Sequence, residues 1–160
     1  MRLSVILASV ASFSSSVQAA WDWGWCPWWW NKPVPVKNFD KNAYLGNWYE
    51  LFRDKEVWYE QNVECVTATY TLNSANKWYT WFYDIEVRNR NMRNGAVRDP
   101  TFLSSGIPVS YARCDGNGNC NVKFWWYPEG DYVVLDTDYT SYALVYGCDN
   151  WGLFHTKQAW

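Results

Sequence analysis

The chain has 160 residues, with 16 acidic and 14 basic side chains and a formal net charge of −2. That length suits one domain of ordinary size, and the scattered, outnumbered basic residues exclude a nucleic-acid surface. Aromatics are in excess. The 14 Trp and 12 Tyr are more than ordinary packing absorbs, because each needs a place for a polar tip. Either they line a cavity or some are exposed for binding.

Met1-Arg2 precedes an apolar run from Leu3 to Val10, then Ser-rich residues to Val17-Gln18-Ala19. Charge, apolar core and small residues in that order predict a signal peptide over residues 1–19, cut after Ala19, and a secreted mature chain. The run is too short to span a membrane. Residues 20–37 form a Trp/Pro-rich arm, with Trp21-Asp22-Trp23-Gly24-Trp25-Cys26-Pro27-Trp28-Trp29-Trp30 followed by Pro33 and Pro35. Proline and missing periodicity argue against a helix, so an extended arm pinned by Cys26 is expected. Its aromatics either bind a sugar, a membrane or a protein partner, or pack against the closed end of the domain.

Strand patterns follow with little helical periodicity. They run over Tyr44–Phe52, Cys65–Leu72, Trp78–Arg88, Val109–Ala112, Asn121–Tyr127, Tyr132–Asp136, Ser141–Gly147 and Gly152–Trp160, with polar turns such as 73–76 and 89–95 between them. About eight short strands without a crossover helix predict an all-β fold, an up-and-down antiparallel barrel over residues 38–160. A barrel of that size holds one small ligand. Cys26, Cys65, Cys114, Cys120 and Cys148 follow a leader, a context that favours disulfides over metal sites. Cys114 and Cys120 bracket the turn-rich Asp115-Gly116-Asn117-Gly118-Asn119, so a hairpin disulfide is expected there. That loop lacks the spaced carboxylates and final Glu of a calcium site.

Two blocks carry a resemblance. The first is Asp40, then Tyr44-Leu45-Gly46-Asn47-Trp48-Tyr49-Glu50; the second is Tyr132-Val133-Val134-Leu135-Asp136-Thr137-Asp138-Tyr139 with Tyr142-Ala143-Leu144-Val145-Tyr146. They resemble the two signatures of the lipocalins, the Gly-x-Trp block and the Thr-Asp-Tyr block, in the right order. The similarity is to the branch of apolipoprotein D, bilin-binding proteins and bacterial lipocalins. It spans about residues 38–160. The resemblance implies that Gly46 and Trp48 build the barrel floor and that Cys26 pairs with Cys148. It implies a second bridge starting at Cys65, whose partner would lie in a C-terminal tail. It also implies an Arg that caps the first-strand Trp and a C-terminal helix outside the barrel. The chain stops at Trp160 before these, so the expectation is a C-terminally incomplete sequence with the helix missing.

Alternation anchored on Trp48 and on the family match points Val66, Ala68, Tyr70, Trp78, Thr80, Phe82, Asp84, Glu86, Phe124, Trp126, Tyr132, Val134 and Trp160 inward. Tyr70, Phe82, Asp84, Phe124, Tyr132 and Trp160 also match calyx-lining positions of the family and are the expected ligand-binding residues. Lipocalins carry retinoids, steroids, fatty acids, bilins or carotenoids. Abundant flat side chains favour a planar or conjugated ligand, and Asp84 and Glu86, expected near the mouth, disfavour a carboxylate there.

Catalysis has little support. His155 is the single histidine, Cys65 has no neighbouring cation to activate it, and no nucleophile elbow, zinc helix or phosphate loop occurs. The expected function is therefore a secreted, non-enzymatic carrier of a small hydrophobic ligand, with no cofactor or metal. The alternative is a binding module acting through the Trp21–Trp30 stretch. Any membrane contact would be peripheral, and oligomeric state is left open.

Overall fold

Alternating, β-branched segments pair through antiparallel ladders into one sheet. The structure, a computed structural model, describes residues 20–27, 31–54, 57, 60–73, 82–101, 110–124 and 128–160. The expected leader at 1–19, Trp28–Trp30, and the inward positions Trp78, Thr80 and Trp126 lie outside those residues.

The elements are β1 (Ala20–Trp23), α1 (Lys41–Tyr44), β2 (Gly46–Tyr49), β3 (Glu64–Leu72), β4 (Ile85–Arg93), β5 (Ala96–Arg98), β6 (Ser110–Cys114), β7 (Asn119–Phe124), β8 (Gly130–Thr137), β9 (Ala143–Trp151) and β10 (Phe154–Ala159). They run in the order β1-β10-β9-β8-β7-β6-β4-β3-β2, with β5 hairpinned onto β4. Without β1 and β5 this is the expected set of eight strands, curled as an antiparallel half-barrel. The outer edge of β10 is used twice. Its first four residues pair with β1, and at its far end Ala159 N–H donates to Asp54 Oδ2 at 2.9 Å while Asp54 N–H donates to Ala159 O at 3.2 Å. That exchange draws the β2 side of the sheet toward β10 and occupies part of an edge that would otherwise be open.

The closed end is built by the first signature block. Asp40 caps α1, its Oδ1 accepting from Asn42 N–H (2.9 Å) and Ala43 N–H (3.1 Å), which satisfies orphan donors of the first turn. Phe39 and Tyr44 are buried in the core beside Ile85, Val87 and Val134. The second block fastens the first: Tyr139, at φ 65°, accepts from Asp40 N–H at 3.1 Å and packs on Phe39. Asp138 holds that loop by accepting from the amides of Thr140, Ser141 and Tyr142. Ahead of Phe39, Val36 N–H donates to Val134 O at 2.9 Å. It passes so close to Gly118 (φ 69°) that a Cβ there would fall 2.9 Å from Val36 Cγ1. Glycine is therefore needed at 118 for both the turn and the approach.

The disulfides Cys26–Cys148 and Cys114–Cys120 are present, with Cα separations of 5.9 and 4.0 Å. In the turn between the latter pair, Asp115 Oδ1 accepts from Asn117 and Asn119 N–H, an Asx turn rather than an ion loop. Among the described residues no cluster of His, Cys, Asp and Glu could hold a metal, and no helix is long and apolar enough to cross a membrane.

One expectation is corrected here. The third strand does not end at Arg88: β4 continues to Arg93, through residues expected as a polar turn. The turn is Asn94-Gly95, both at positive φ, with Arg93 opposite Ala96. Polar side chains are compatible with a strand that faces solvent on one side and a cavity on the other. The start of the arm is extended and joins the sheet as β1, and Cys26 ties it to Cys148.

Candidate functional site

The concave face of the sheet encloses an open-mouthed cavity of about 1410 Å³. Its deepest polar feature is a set of three phenols. Tyr132 OH lies 2.9 Å from both Tyr44 OH and Tyr70 OH. Tyr44 stacks on Trp48 (centroids 5.0 Å, 27°) and on Tyr70 (5.6 Å, 29°), and Tyr70 meets Tyr132 edge-on. Trp48 Nε1 donates to Tyr44 O at 2.9 Å, so both signature blocks and β3 meet in one aromatic assembly. Burial pushes Tyr70 up to about 12 and raises Tyr44 and Tyr132 above the ordinary phenol value, so all three stay neutral at physiological pH.

The seam where the β2–β3 connection meets the end of β10 is polar. Arg53 pairs with Glu50 and donates to the carbonyls of Glu60 and Val63, both at 3.1 Å. Trp160 Nε1 donates to Glu60 Oε2 at 3.3 Å. The Trp160 ring lies on Gly147, where a Cβ would fall 3.0 Å from it. Burial first, then the nearby Glu50 carboxylate, pushes Glu60 up to about 7, against the Trp160 indole and Arg53. Further along β10, Gln158 Nε2 donates to Asp149 Oδ2 at 2.9 Å, and burial raises Asp149.

Of the six expected ligand-binding residues, Tyr70, Phe124, Tyr132 and Trp160 are on the cavity wall, as are Val66 and Ala68. Val134 is wholly buried in the core below it. Phe82, Asp84 and Glu86 are corrected. β4 turns Ile85 and Val87 into the core and sets Val87, Asn89 and Asn91 along the cavity, the opposite parity to the one expected. Phe82 is 60 % exposed. Asp84 pairs with Lys41 of α1, away from the mouth. A one-residue change of parity moves every side chain of a strand to its other face. Glu60, Gln158 and Asp149 were not anticipated. Gln158 could have been, since it alternates with Trp160 on one strand; Glu60 sits in irregular chain, where no period exists to read.

Groups considered for catalysis lie elsewhere. His155 is buried at the β1–β10 ladder, its Nδ1 3.2 Å from Gly24 O and its Nε2 4.0 Å from Asp22. Cys65 is an exposed free thiol at φ 52° in a β3 bulge.

No family model matches the chain. It is 33 % identical over 162 residues to apolipoprotein D of Bos taurus, covering 99 % of this chain and 76 % of that protein. To apolipoprotein D of Cavia porcellus it is 32 % identical over 160 residues, covering 98 % and 75 %. Its fold is similar to that of insecticyanin from the tobacco hornworm Manduca sexta, with a TM-score of 0.61 at 22 % identity over 89 % of this chain and 70 % of the other. With two signature blocks joined at one aromatic floor, an eight-stranded wall and relatives above 30 % identity over nearly its whole length, the chain belongs to the lipocalin family.

Proposed function

We propose that this protein is an exported carrier that holds a small, flat hydrophobic molecule in the barrel. The observation that carries this reading is the cavity itself, about 1410 Å³ and walled by Tyr44, Trp48, Tyr70, Phe124, Tyr132 and Trp160. A concave, mostly apolar space with a few fixed polar groups is the usual constitution of a small-molecule site. Its broad aromatic faces favour planar or conjugated ligands over flexible chains. Family membership supports the same reading. The function is binding and release, with no chemical step assigned to His155 or Cys65. Native mass spectrometry with an absorption spectrum, on protein from its natural source, tests it. A co-purifying small molecule that quenches tryptophan fluorescence on re-addition is the expected result. Failure of every planar apolar probe to quench would overturn it.

A second reading rests on Trp21, Trp23 and Trp25, which are 56, 76 and 63 % exposed. Trp23 packs on Phe154 at 4.2 Å and Trp21 faces Trp151 at 6.2 Å, a ledge of aromatic faces outside the barrel. It suits adhesion to a sugar, a membrane or a protein partner. Trp21→Ala/Trp23→Ala protein that loses retention on such a surface yet keeps probe binding in the barrel would establish it. Unchanged retention would remove it.

A further inference from the structure

Among the described residues the cavity wall is predominantly acidic. Among the described lining residues, Glu50, Glu60, Glu129, Asp131, Asp136 and Asp149 are acidic and Arg93 alone is basic. Three of the acids are paired with cations that do not line the cavity: Glu50 with Arg53, Glu129 with Arg113 at 3.1 Å and Asp131 with Lys32 at 2.7 Å. Asp136 accepts from Tyr142 OH at 3.0 Å. Asp136 is exposed, whereas Glu60 is buried and Asp149 half-buried, and among the described residues neither of these two has a full counter-charge. The Arg53 guanidinium, engaged by Glu50 and two carbonyls, approaches Glu60 only to 3.9 Å. Asp149 is held by the neutral Gln158 amide.

These two carboxylates flank one strip of wall. Gln158 and Trp160 are successive inward residues at the end of β10, the first bonded to Asp149 and the second to Glu60. Tyr70 lies close enough to feel the Glu60 charge. On the β4 part of the wall, the side-chain amide oxygens of Asn89 and Asn91 are buried without a hydrogen-bond partner. Among the described residues the wall therefore offers unpaired acceptors, an excess of carboxylates and aromatic faces. We infer that the barrel selects an apolar amphiphile carrying a cationic amine over the matching carboxylate, and that Glu60 and Asp149 set this preference. The inference rests on the carrier reading above.

The physics is direct. A ligand carboxylate brought beside two incompletely neutralised carboxylates in a low-dielectric wall is repelled and loses its hydration. An ammonium is attracted, can donate to the unpaired acceptors and gains from the aromatic faces. The preference depends on pH, because Glu60 is raised to about 7 in a setting that also contains Glu50, Arg53, Tyr70 and the Trp160 indole. Asp149 is raised in the same direction, with Asp131 adding to burial. Amine preference is full above that range and declines as Glu60 takes up a proton.

The test uses three probes of one shape, anthracenylmethylamine, anthracenylmethanol and anthracene carboxylate, with the full chain and tryptophan quenching at about pH 8 and about pH 5.5. At the higher pH the amine is expected to bind roughly tenfold or more tightly than the carboxylate, and the ratio to shrink at the lower. In Glu60→Gln and Asp149→Asn, checked for native circular dichroism, the amine-over-alcohol preference is expected to fall by roughly threefold or more. Alcohol binding with equal or better carboxylate binding in the native protein overturns the inference while leaving the carrier reading intact. So does a preference unchanged in both variants. If none of the three probes binds, the inference is overturned, and the carrier reading falls with it only if every other planar apolar probe is refused as well.

Discussion

The molecule has two aromatic assemblies that obey different rules. Inside, Tyr44, Trp48, Tyr70 and Tyr132 bond their polar tips to one another and to the backbone. Outside, Trp21, Trp23 and Trp25 leave most of their surface in solvent, though their strand is fixed to β10 and anchored by Cys26–Cys148. The inner group is bound by its requirement for paired hydroxyls, since a buried polar atom without a partner is costly. The outer group has no such constraint and is held by a covalent link and a four-residue ladder. Aromatic content alone therefore says little; where the polar tips go separates a wall from a ledge.

The largest expected effect severs the two. Cys148→Ser opens a link between residues 122 apart in sequence and is expected to cost about 3–5 kcal/mol, measured by denaturant unfolding. Released β1 would also shift tryptophan emission to the red. Next, Tyr132→Phe leaves two buried hydroxyls without their shared partner. Its expected cost is about 1–3 kcal/mol, read from the unfolding midpoint; a neutral result would show that the phenol set is not tightly closed.

A smaller effect follows from Glu60. Its folded value, about 7, lies above the ordinary 4.5. Between those values the native state binds a proton that the unfolded chain does not. Stability should rise as pH falls through 7 toward 4.5 and be lower above, by on the order of 1 kcal/mol. Glu60→Gln should flatten that slope in thermal unfolding measured across the range. Smallest is Trp23→Ala on the outer ledge, expected to change stability by less than about 1 kcal/mol. A larger loss would mean that the ledge is packed as tightly as the wall.

Much of the barrel was legible in the sequence. Tyr70 and Tyr132 were expected inward from alternation anchored on Trp48 and from the family match, and both are on the cavity wall. The Cys114–Cys120 hairpin was readable from the turn residues between the cysteines. Phe82 and Asp84 failed because their parity was carried over from the Trp48 anchor and the family match, neither of which fixes the register of this strand. Only pairing with β3, Tyr70 opposite Val87 and Leu72 opposite Ile85, sets that parity.

The amino-acid sequence by itself determined the strand-rich class, the two blocks that meet at the floor and the aromatic character of the wall. Each of these follows from local periodicity or from residue types that act where they stand. Tertiary structure alone decided which face of β4 turns inward, that residues 20–23 join the sheet, and that Glu60 becomes part of the wall. Those outcomes depend on ladder register and on contacts between residues 100 or more positions apart in sequence, as between Glu60 and Trp160 or β1 and β10. A period of two residues specifies alternation but not which of its two faces meets the cavity.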